Sequence, residues 1–239
     1  MVSSDVGGNV RGIERSHIVM RVDLRLYALV DPERANGRDL AVLARLAAQG
    51  GATLVQLRDK HTDTRRMVDR ARAIKAALAP LGVPLLINDR IDVALASGAD
   101  GAHVGHEDMA AEDARRILGA DAIIGLSVKT VEQAEAAPIE LLDYAGIGGV
   151  FATSSKDNPE PPIGPAGLSR IVAVFRRRSP EFPLCAIAGI DAGNAGEVIT
   201  AGADGVAVIS ALSLKDDPRA AARQLRGVVD DALAQRGRA

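Results

Sequence analysis

The sequence predicts an α/β fold, a single (β/α)8 barrel of the TIM type, and three observations support this prediction. From Arg25 onward, short apolar or β-branched runs alternate with longer Ala-rich stretches that have helical spacing. Eight such strand runs occur, and eight is the number of strands that closes this barrel. The junction GADG is used twice, at 98–101 and 202–205, as expected for a fold built from repeated units.

The predicted strands are strongly apolar, which is typical of a parallel sheet covered by helices on both faces. In chain order they span 25–31, 53–59, 83–89, 101–105, 122–127, 144–150, 183–189 and 205–210. The Ala-rich stretches predict helices at 39–49, 63–80, 90–97, 110–118, 130–137, 164–178, 193–201 and 217–235. The glycines of each GADG junction are expected to end a helix and to turn the chain into the next strand. No GxGxxG fingerprint follows the first strand, which disfavours an open dinucleotide-binding sheet.

The length of 239 residues fits one barrel domain, which we place at 21–239. Residues 1–20 contain Ser, Gly, Asn and scattered charges without a sustained period, so they are predicted to form a flexible N-terminal extension. This segment lacks the basic start, apolar middle and cleavage site of a secretory signal. No export is therefore expected.

Composition argues against two classes of partner. The chain has 29 Lys and Arg against 31 Asp and Glu, a formal net charge of −2, and no Trp, so neither charge nor base stacking favours nucleic acid. No apolar run approaches the about 18 to 20 residues that a membrane span requires. The single cysteine, Cys185, cannot form an internal disulfide. We expect a cytoplasmic protein with no nucleic-acid and no membrane partner.

In such a barrel the active site lies at the carboxyl ends of the strands, so the polar residues there are the candidates. Gln56, Arg58 and Lys60 are spaced two apart at the end of the second strand and share one face. Two cations and an amide would converge in the barrel mouth and bind phosphate or diphosphate oxygens. The alternative is a solvated strand end in which Arg58 pairs with Asp59.

Two carboxylates, Asp89 and Asp108, lie one strand-helix unit apart at the ends of neighbouring strands. Because adjacent strands are roughly 5 Å apart, both side chains could hold one Mg²⁺, which takes its other ligands from water and substrate phosphate. The alternative is helix capping by Asn88 or Asp89 and by Asp108. The cations at the end of the second strand favour metal and diphosphate chemistry.

A second anionic group is expected near the ends of strands seven and eight, at Gly189, Ile209 and Ser210, where these barrels frequently bind phosphate. The long loop after strand six, 153–156, adds hydroxyls and a cation and is interpreted as a lid. Ordinary turn geometry at Gly189 and a flexible linker for the loop are the alternatives.

The histidines and the cysteine carry no recognisable catalytic spacing. His103 and His106 lack the helical H-x-x-H pattern of zinc sites, so packing or hydrogen bonding is favoured. Cys185 lies within a strand without an adjacent base and is interpreted as a small buried hydrophobe.

In order, the motifs VQLRDK, INDRIDVALASGADGAHVGHEDM, IIGLSV, GVFATSSK, AIAGI and GVAVIS resemble those of the thiamine-phosphate synthase family, over about Leu26 to Leu233. The resemblance implies a (β/α)8 barrel that joins 4-amino-2-methyl-5-hydroxymethylpyrimidine diphosphate to 4-methyl-5-(2-phosphooxyethyl)thiazole. The implied products are thiamine monophosphate and pyrophosphate, and the implied cofactor is Mg²⁺. A homodimer is possible by the same resemblance.

The resemblance also implies residue roles. The pyrimidine diphosphate is assigned to Gln56, Arg58, Lys60, Asn88, Ser127 and Lys156. The thiazole phosphate is assigned to Thr153, Ser155, Gly189, Ile209 and Ser210. Mg²⁺ is assigned to Asp89 and Asp108, and the catalytic roles fall to Arg58, Ser127 and Lys156. The chain departs from the family pattern at Ser155 (usually Thr), Ala188 (commonly Gly) and His106 (usually Gln).

The implied reaction is dissociative: pyrophosphate departs, the aminopyrimidine supports a positive methylene carbon, and the thiazole nitrogen attacks it. No general base is needed, because the nucleophile is a neutral nitrogen, so catalysis would come from positioning and charge stabilisation. Two alternatives stay open. A related thiazole tautomerase commonly has Gly at the position of Asp89 and His at that of Lys129, which disfavours it. A non-catalytic thiazole-phosphate sensor is the other, because fold alone does not fix function.

Overall fold

The computed structural model describes residues 22–153 and 161–237. The predicted extension at 1–20 and two predicted site residues, Ser155 and Lys156, lie outside the described residues. The strands are β1 (Leu26–Val30), β2 (Leu54–Leu57), β3 (Leu85–Asn88), β4 (Gly101–Val104), β5 (Ile123–Val128), β6 (Tyr144–Gly148), β7 (Leu184–Ile187) and β8 (Gly205–Val208). All are parallel and pair in chain order, and β1 pairs with β8 to close the barrel.

The helices surround the barrel in alternation with the strands. They are α1 (Leu40–Gln49), α2 (Thr64–Leu78), α3 (Ile91–Ser97), α4 (Ala111–Leu118), α5 (Val131–Ala136), α6 (Gly164–Arg178), α7 (Ala195–Thr200), α8 (Ser210–Ser213) and α9 (Pro218–Arg236). The predicted (β/α)8 barrel is confirmed. Among the described residues, no helix combines the length and the apolar character needed to cross a membrane.

Two elements were not predicted. The chain makes a 3-10 turn at Ala79–Leu81, which includes Pro80, where the prediction continued helix α2 to residue 80. The second unpredicted element is the four-residue helix α8, which begins at Ser210. Strand β8 ends at Val208 and is therefore shorter than the predicted strand 205–210. Helix α8 therefore starts at the carboxyl end of the barrel, beside the expected phosphate position.

Strand alternation divides the buried side chains into two layers. In β1, Leu26, Ala28 and Val30 belong to the cluster packed against the helices. Tyr27 and Leu29 belong to a separate cluster inside the barrel, whose other buried members are Leu24, Leu54, Leu86, Tyr144, Cys185, Ala207 and Ile209. Side chains thus fill the barrel interior. A site can form only between this layer and the carboxyl ends of the strands.

The amino ends of the strands are joined by aspartates. The aspartate before each of β4, β6 and β8 accepts a backbone hydrogen bond from the start of the preceding strand: Asp100 from Leu85, Asp143 from Ile124 and Asp204 from Leu184. The helix-ending glycines of the GADG junctions have the expected positive φ, 67° at Gly98 and 108° at Gly202. The polar groups at this end therefore serve stability, and the opposite end is left for chemistry.

The loop from β2 to α2 is organised by Asp59, whose side chain is only 1% exposed. Its carboxylate accepts hydrogen bonds from Arg70 Nη1 at 2.5 Å and from the backbone N–H of Thr62 at 3.1 Å. Burial alone would raise the pKa of Asp59, but the bonds from Arg70 and Thr62 more than offset it, so the pKa lies below its ordinary value. Asp59 thereby fixes the loop that carries Lys60.

We expect Asp59→Asn to lower the free energy of unfolding by about 2 kcal/mol at pH 7, because a charged hydrogen bond to Arg70 is lost. A carboxyl with a depressed pKa in the folded state stabilises the protein above its unfolded pKa. The difference from wild type should therefore shrink as the pH falls below about 4. Urea unfolding at both pH values measures it. In the control Asp113→Asn, which breaks an exposed pair with Arg116, a loss under about 0.5 kcal/mol is expected.

Candidate active site

A cavity opens at the carboxyl end of the barrel, and polar side chains from four strand ends line it together with Tyr27 of β1. The strand-end residues are Gln56, Arg58, Asn88, His103 and Ser127. The apolar part of the wall includes Leu29, Ile187 and Ile209. Residues that are far apart in the sequence, such as Gln56 and Ser127, therefore line the same cavity.

Arg58 is held in this cavity by a buried carboxylate. Its guanidinium forms an ion pair with Asp31, which directly follows β1. The side chain of Asp31 is 2% exposed. The alternative pairing of Arg58 with Asp59 is wrong, because Asp59 pairs with Arg70. Asp31 was missed in the sequence, although it stands at the end of an apolar run, the same feature that singled out Asn88 and Ser127.

Lys60 and Asp89 form an ion pair at the rim of the cavity. Asn88 Nδ2 also donates to Asp89 Oδ2, at 2.7 Å. Burial is the main cause that raises the pKa of Asp89; the hydrogen bond and charge of Asp108 raise it further, and Lys60 opposes them. The net direction is upward, so the negative charge at Asp89 is disfavoured in the folded protein. A cation between the two carboxyl groups would relieve this cost.

Neither aspartate caps a helix. The N-cap residue of α3 is Arg90 and that of α4 is Ala110. Asp89 instead adopts a left-handed backbone with φ 61°, and Asp108 Oδ2 accepts a hydrogen bond from the backbone N–H of Gly105 at 2.8 Å. The capping alternatives are therefore wrong, and both carboxyl groups remain as ligand candidates at the rim.

A second pocket adjoins the first at the ends of β7 and β8. Thr153, Gly189, Ile209 and Ser210 line it together, and it shares Ile187, Ala207 and Ile209 with the first cavity. Ala188 and Gly189 have φ values of 84° and 66°. Consecutive left-handed residues make a tight backbone turn here, so the position of one predicted phosphate contact, Gly189, is set by backbone conformation.

We expect Gly189→Ala to damage this second pocket selectively. A Cβ at Gly189 would lie 2.5 Å from the carbonyl oxygen of Ala152 and 2.7 Å from Cβ of Phe151, so the backbone must shift, and φ 66° adds strain. The KM for a phosphorylated ligand of this pocket should rise about tenfold or more, since about 1.4 kcal/mol of misplacement is tenfold. The control Gly196→Ala lies on α7, where an added Cβ meets nothing within 4 Å. Equal KM values in Gly189→Ala and wild type would contradict the assignment.

In the cavity wall, His103 bridges two hydroxyl groups. His103 Nδ1 is 2.8 Å from Tyr144 Oη, and His103 Nε2 is 2.9 Å from Ser127 Oγ. The hydrogen-bonding role expected for His103 is therefore confirmed. Cys185 is 1% exposed, and burial raises the pKa of its thiol to about 12, with a smaller contribution from Asp204. Cys185 is a buried hydrophobe, as expected.

The structure arranges the predicted residues in three adjoining groups. The first cavity holds Gln56, Arg58, Asn88 and Ser127, and the second pocket holds Thr153, Gly189, Ile209 and Ser210. Lys60, Asp89 and Asp108 meet at the rim. Besides Asp31, sequence reasoning missed Tyr27 and Tyr144, which contact the polar residues from inside the barrel.

The closed parallel barrel, with two adjoining pockets lined by polar groups at the carboxyl ends of the strands, has the architecture of a (β/α)8-barrel enzyme. The family model for thiamine monophosphate synthase matches residues 26–212. Among curated relatives, the thiamine-phosphate synthase of Agrobacterium fabrum is 52% identical over 216 residues, covering 90% of this chain and 98% of the relative. That of Albidiferax ferrireducens is 47% identical over 215 residues, covering 90% and 96%.

A solved structure gives the same result. The thiamine phosphate pyrophosphorylase from Pyrococcus furiosus superposes with a TM-score of 0.77 at 38% identity, covering 89% of this chain and 98% of that one. The chain belongs to the thiamine monophosphate synthase family and is an enzyme, a transferase.

Proposed function

We propose that this enzyme couples 4-amino-2-methyl-5-hydroxymethylpyrimidine diphosphate with 4-methyl-5-(2-phosphooxyethyl)thiazole, in a Mg²⁺-dependent reaction that yields thiamine monophosphate and pyrophosphate. The observation that carries the proposal is the pair of adjoining pockets, one with cations and carboxylates at its rim and one built from backbone turns. Two anionic substrates need two such sites that share a wall. The family membership supports the same substrates.

The first cavity fits the pyrimidine diphosphate. Arg58 and Lys60 supply positive charge for the diphosphate oxygens, and Gln56, Asn88 and Ser127 supply hydrogen bonds for the ring. Lys156, outside the described residues, is assigned to the diphosphate by family resemblance. The ion pair with Asp31 orients Arg58 before the substrate binds, so little side-chain entropy of Arg58 is lost on binding.

The rim fits Mg²⁺. Asp89 and Asp108 offer two carboxylates in contact, and burial and mutual repulsion raise the pKa of Asp89, the situation that a divalent cation relieves. Mg²⁺ commonly binds one or two carboxylates and takes its other ligands from water and substrate phosphate. Among the described residues, no group of three or more His, Cys, Asp or Glu could hold a metal ion. Bound at the rim, Mg²⁺ would neutralise charge on the leaving pyrophosphate. Lys60 would then be released from Asp89 toward the diphosphate.

The second pocket fits the thiazole phosphate. Thr153 and Ser210 provide hydroxyl donors, and the turn at Gly189 and the start of α8 after Ile209 provide backbone N–H groups. Ser155, outside the described residues, is assigned to the same phosphate by family resemblance. The wall shared with the first cavity places the thiazole next to the pyrimidine.

The proposed reaction is dissociative. The bond between the methylene carbon and the diphosphate oxygen breaks with its electron pair leaving on pyrophosphate, and the aminopyrimidine stabilises the positive methylene carbon. The thiazole nitrogen then donates its lone pair to that carbon. Arg58 and Lys60 hold the departing charge, and the pocket walls align the nitrogen and limit water access, so positioning and electrostatics supply the catalysis.

Product formation tests the proposal. Purified enzyme receives both substrates with Mg²⁺, or each substrate alone, and thiamine monophosphate and pyrophosphate are measured by chromatography. Equal amounts of the two products, only when both substrates are present, are expected. Isomerisation of the thiazole carboxy phosphate without coupling would favour the tautomerase, and binding of the thiazole phosphate without turnover would favour the sensor. A cytoplasmic location and a homodimer stay predictions.

A further inference from the structure

A line of buried hydrogen bonds crosses the barrel interior and ends at the first cavity. We call it the tyrosine chain, and it consists of Gln56, Tyr27, Tyr144 and His103. Gln56 Nε2 donates to Tyr27 Oη, Tyr27 Oη is 2.9 Å from Tyr144 Oη, and Tyr144 Oη is 2.8 Å from His103 Nδ1. Tyr27 and Tyr144 are 1% and 0% exposed, and the chain contains no other tyrosine. The proposed function uses neither phenol.

The direction of each proton follows from the chemistry of the groups. An amide nitrogen only donates, so Tyr27 Oη accepts from Gln56. Either phenol could donate in the contact between Tyr27 and Tyr144; because Gln56 already donates to Tyr27, donation by Tyr27 to Tyr144 is the arrangement that lets each phenol accept one hydrogen bond and donate one. Tyr144 Oη then directs its own proton to Nδ1 of the imidazole. The tyrosine chain is thus oriented from Gln56 toward His103 throughout.

This orientation determines the tautomer of His103. Because Nδ1 accepts a proton from Tyr144, it carries none itself, and the ring proton of the neutral imidazole lies on Nε2. Nε2 is 2.9 Å from Ser127 Oγ and therefore donates to it. The proton of the Ser127 hydroxyl is then left for an acceptor in the cavity that Ser127 lines.

Burial keeps both phenols protonated. Desolvation raises the pKa of Tyr27 above its ordinary value and that of Tyr144 well above it, so both phenols keep their protons throughout the neutral range. A protonated imidazole would donate from both nitrogens, and the proton of Tyr144 would then lose its acceptor inside the barrel. The neutral Nε2–H form satisfies all of these groups.

We propose that the tyrosine chain holds His103 as the Nε2–H tautomer and so makes the Ser127 hydroxyl a hydrogen-bond donor to the bound pyrimidine, with Tyr27 and Tyr144 as positioning residues. The assignment of the pyrimidine to this cavity rests on the proposed function. The tautomer itself does not, because it follows from contacts within the protein alone. The two parts therefore need two measurements.

The first measurement is the tautomer of His103 in the ligand-free protein, by NMR of protein labelled with ¹⁵N histidine. The chain has four histidines, and His103→Gln assigns the relevant signals. A protonated Nε2 and an unprotonated Nδ1 are expected in wild type, and Tyr144→Phe should give a mixture of tautomers. A protonated Nδ1 in wild type would overturn the proposal. If Tyr144→Phe does not fold, the wild-type spectrum still decides, because a protonated Nδ1 there overturns the proposal.

The second measurement links the chain to Ser127 by a double-mutant cycle of Tyr144→Phe and Ser127→Ala, assayed for thiamine monophosphate. In the wild-type background, Tyr144→Phe is expected to lower kcat about tenfold, because one oriented hydrogen bond is lost. In the Ser127→Ala background, the same substitution is expected to lower kcat less than about twofold. The KM for the thiazole phosphate should not change. Equal losses in both backgrounds would reduce Tyr144 to a structural role and overturn the proposal.

A matched control separates positioning from stability. Thr53→Val removes the acceptor of the Leu26 N–H at the opposite end of the barrel, and it should lower stability without changing kcat. If wild type forms no thiamine monophosphate, the proposed function fails, whereas the NMR result still shows whether the tyrosine chain sets the tautomer. Failure of one claim is thereby distinguished from failure of the other.

Discussion

Asparagine at position 89 is expected to lower kcat about 10²- to 10³-fold, because one of the two carboxylates proposed to hold Mg²⁺ becomes neutral and several kcal/mol of charge stabilisation is lost. The barrel should stay folded. Asp89 follows the last residue of β3, and its side chain is 16% exposed at the rim, outside both apolar clusters. Asp89→Ala should give the same loss of Mg²⁺-dependent turnover.

The stability of Asp89→Asn follows from the raised pKa of this group. A carboxyl whose folded pKa lies above its unfolded value loses stabilisation as the pH rises through the folded pKa, so at pH 7 its charge favours the unfolded state. A neutral asparagine should therefore leave Tm equal to or above that of wild type.

Steady-state kinetics and thermal unfolding of Asp89→Asn test this combination. Asp92→Asn is the matched control, because Asp92 is three residues away on α3, with a side chain that is 61% exposed and paired with Arg90. Its kcat should equal that of wild type. Normal turnover by Asp89→Asn would defeat the metal assignment, and a large fall in Tm would mean that Asp89 is structural.

Arg58→Met is expected to have the second large effect, on both activity and stability. The pyrimidine diphosphate would lose its guanidinium contact, and kcat/KM should fall about 10²-fold. Asp31, with 2% of its side chain exposed, would keep a buried charge without its ion-pair partner. Removing one partner of a buried pair costs about 3 kcal/mol or more.

The double variant Arg58→Met with Asp31→Asn separates the two effects. Replacing the buried charge by a neutral amide should recover most of the lost stability, whereas activity should stay low because the guanidinium is still missing. Urea unfolding and kcat/KM are measured for both single variants and the double. Recovery of activity in the double would show that Arg58 acts only through stability.

The fold was predictable because its pattern is long and repeated. Eight apolar runs separated by helical stretches leave few alternatives, and the GADG junctions carry the same turn twice. Helix α8 was not predictable in this way, because the four residues Ser210–Ser213 are too few to show a helical period. The 3-10 turn at Ala79–Leu81 was not predictable either, because its residues are similar in composition to those of α2.

The site was predictable where topology alone decides. Parallel strands end together, so polar residues at the carboxyl ends of β2, β3 and β5 had to meet. The ion-pair partners of these residues were not predictable. Arg58 pairs with Asp31 and Lys60 pairs with Asp89, each across two different strand ends. Which carboxylate pairs with which cation depends on distances that only the folded barrel sets.

The two tyrosines were overlooked for a different reason. Within RLYALVD and YAGIGGV, tyrosine is a common strand residue and suggests only packing. The sequence feature that could have identified them is strand alternation. Both tyrosines alternate with outward-facing residues, so both side chains point into the barrel. A buried phenol inside a barrel needs a hydrogen-bond partner, and here the partners lead to the active site.

The central claim is that one barrel mouth joins two anionic substrates with the help of Mg²⁺, and the most direct test is the rate of thiamine monophosphate formation with Mg²⁺, with EDTA, and with excess Mg²⁺ restored. The account predicts product with Mg²⁺, none with EDTA, and full recovery after restoration, with one pyrophosphate per product. An undiminished rate in EDTA, or no product from folded enzyme under any of the three conditions, would contradict it.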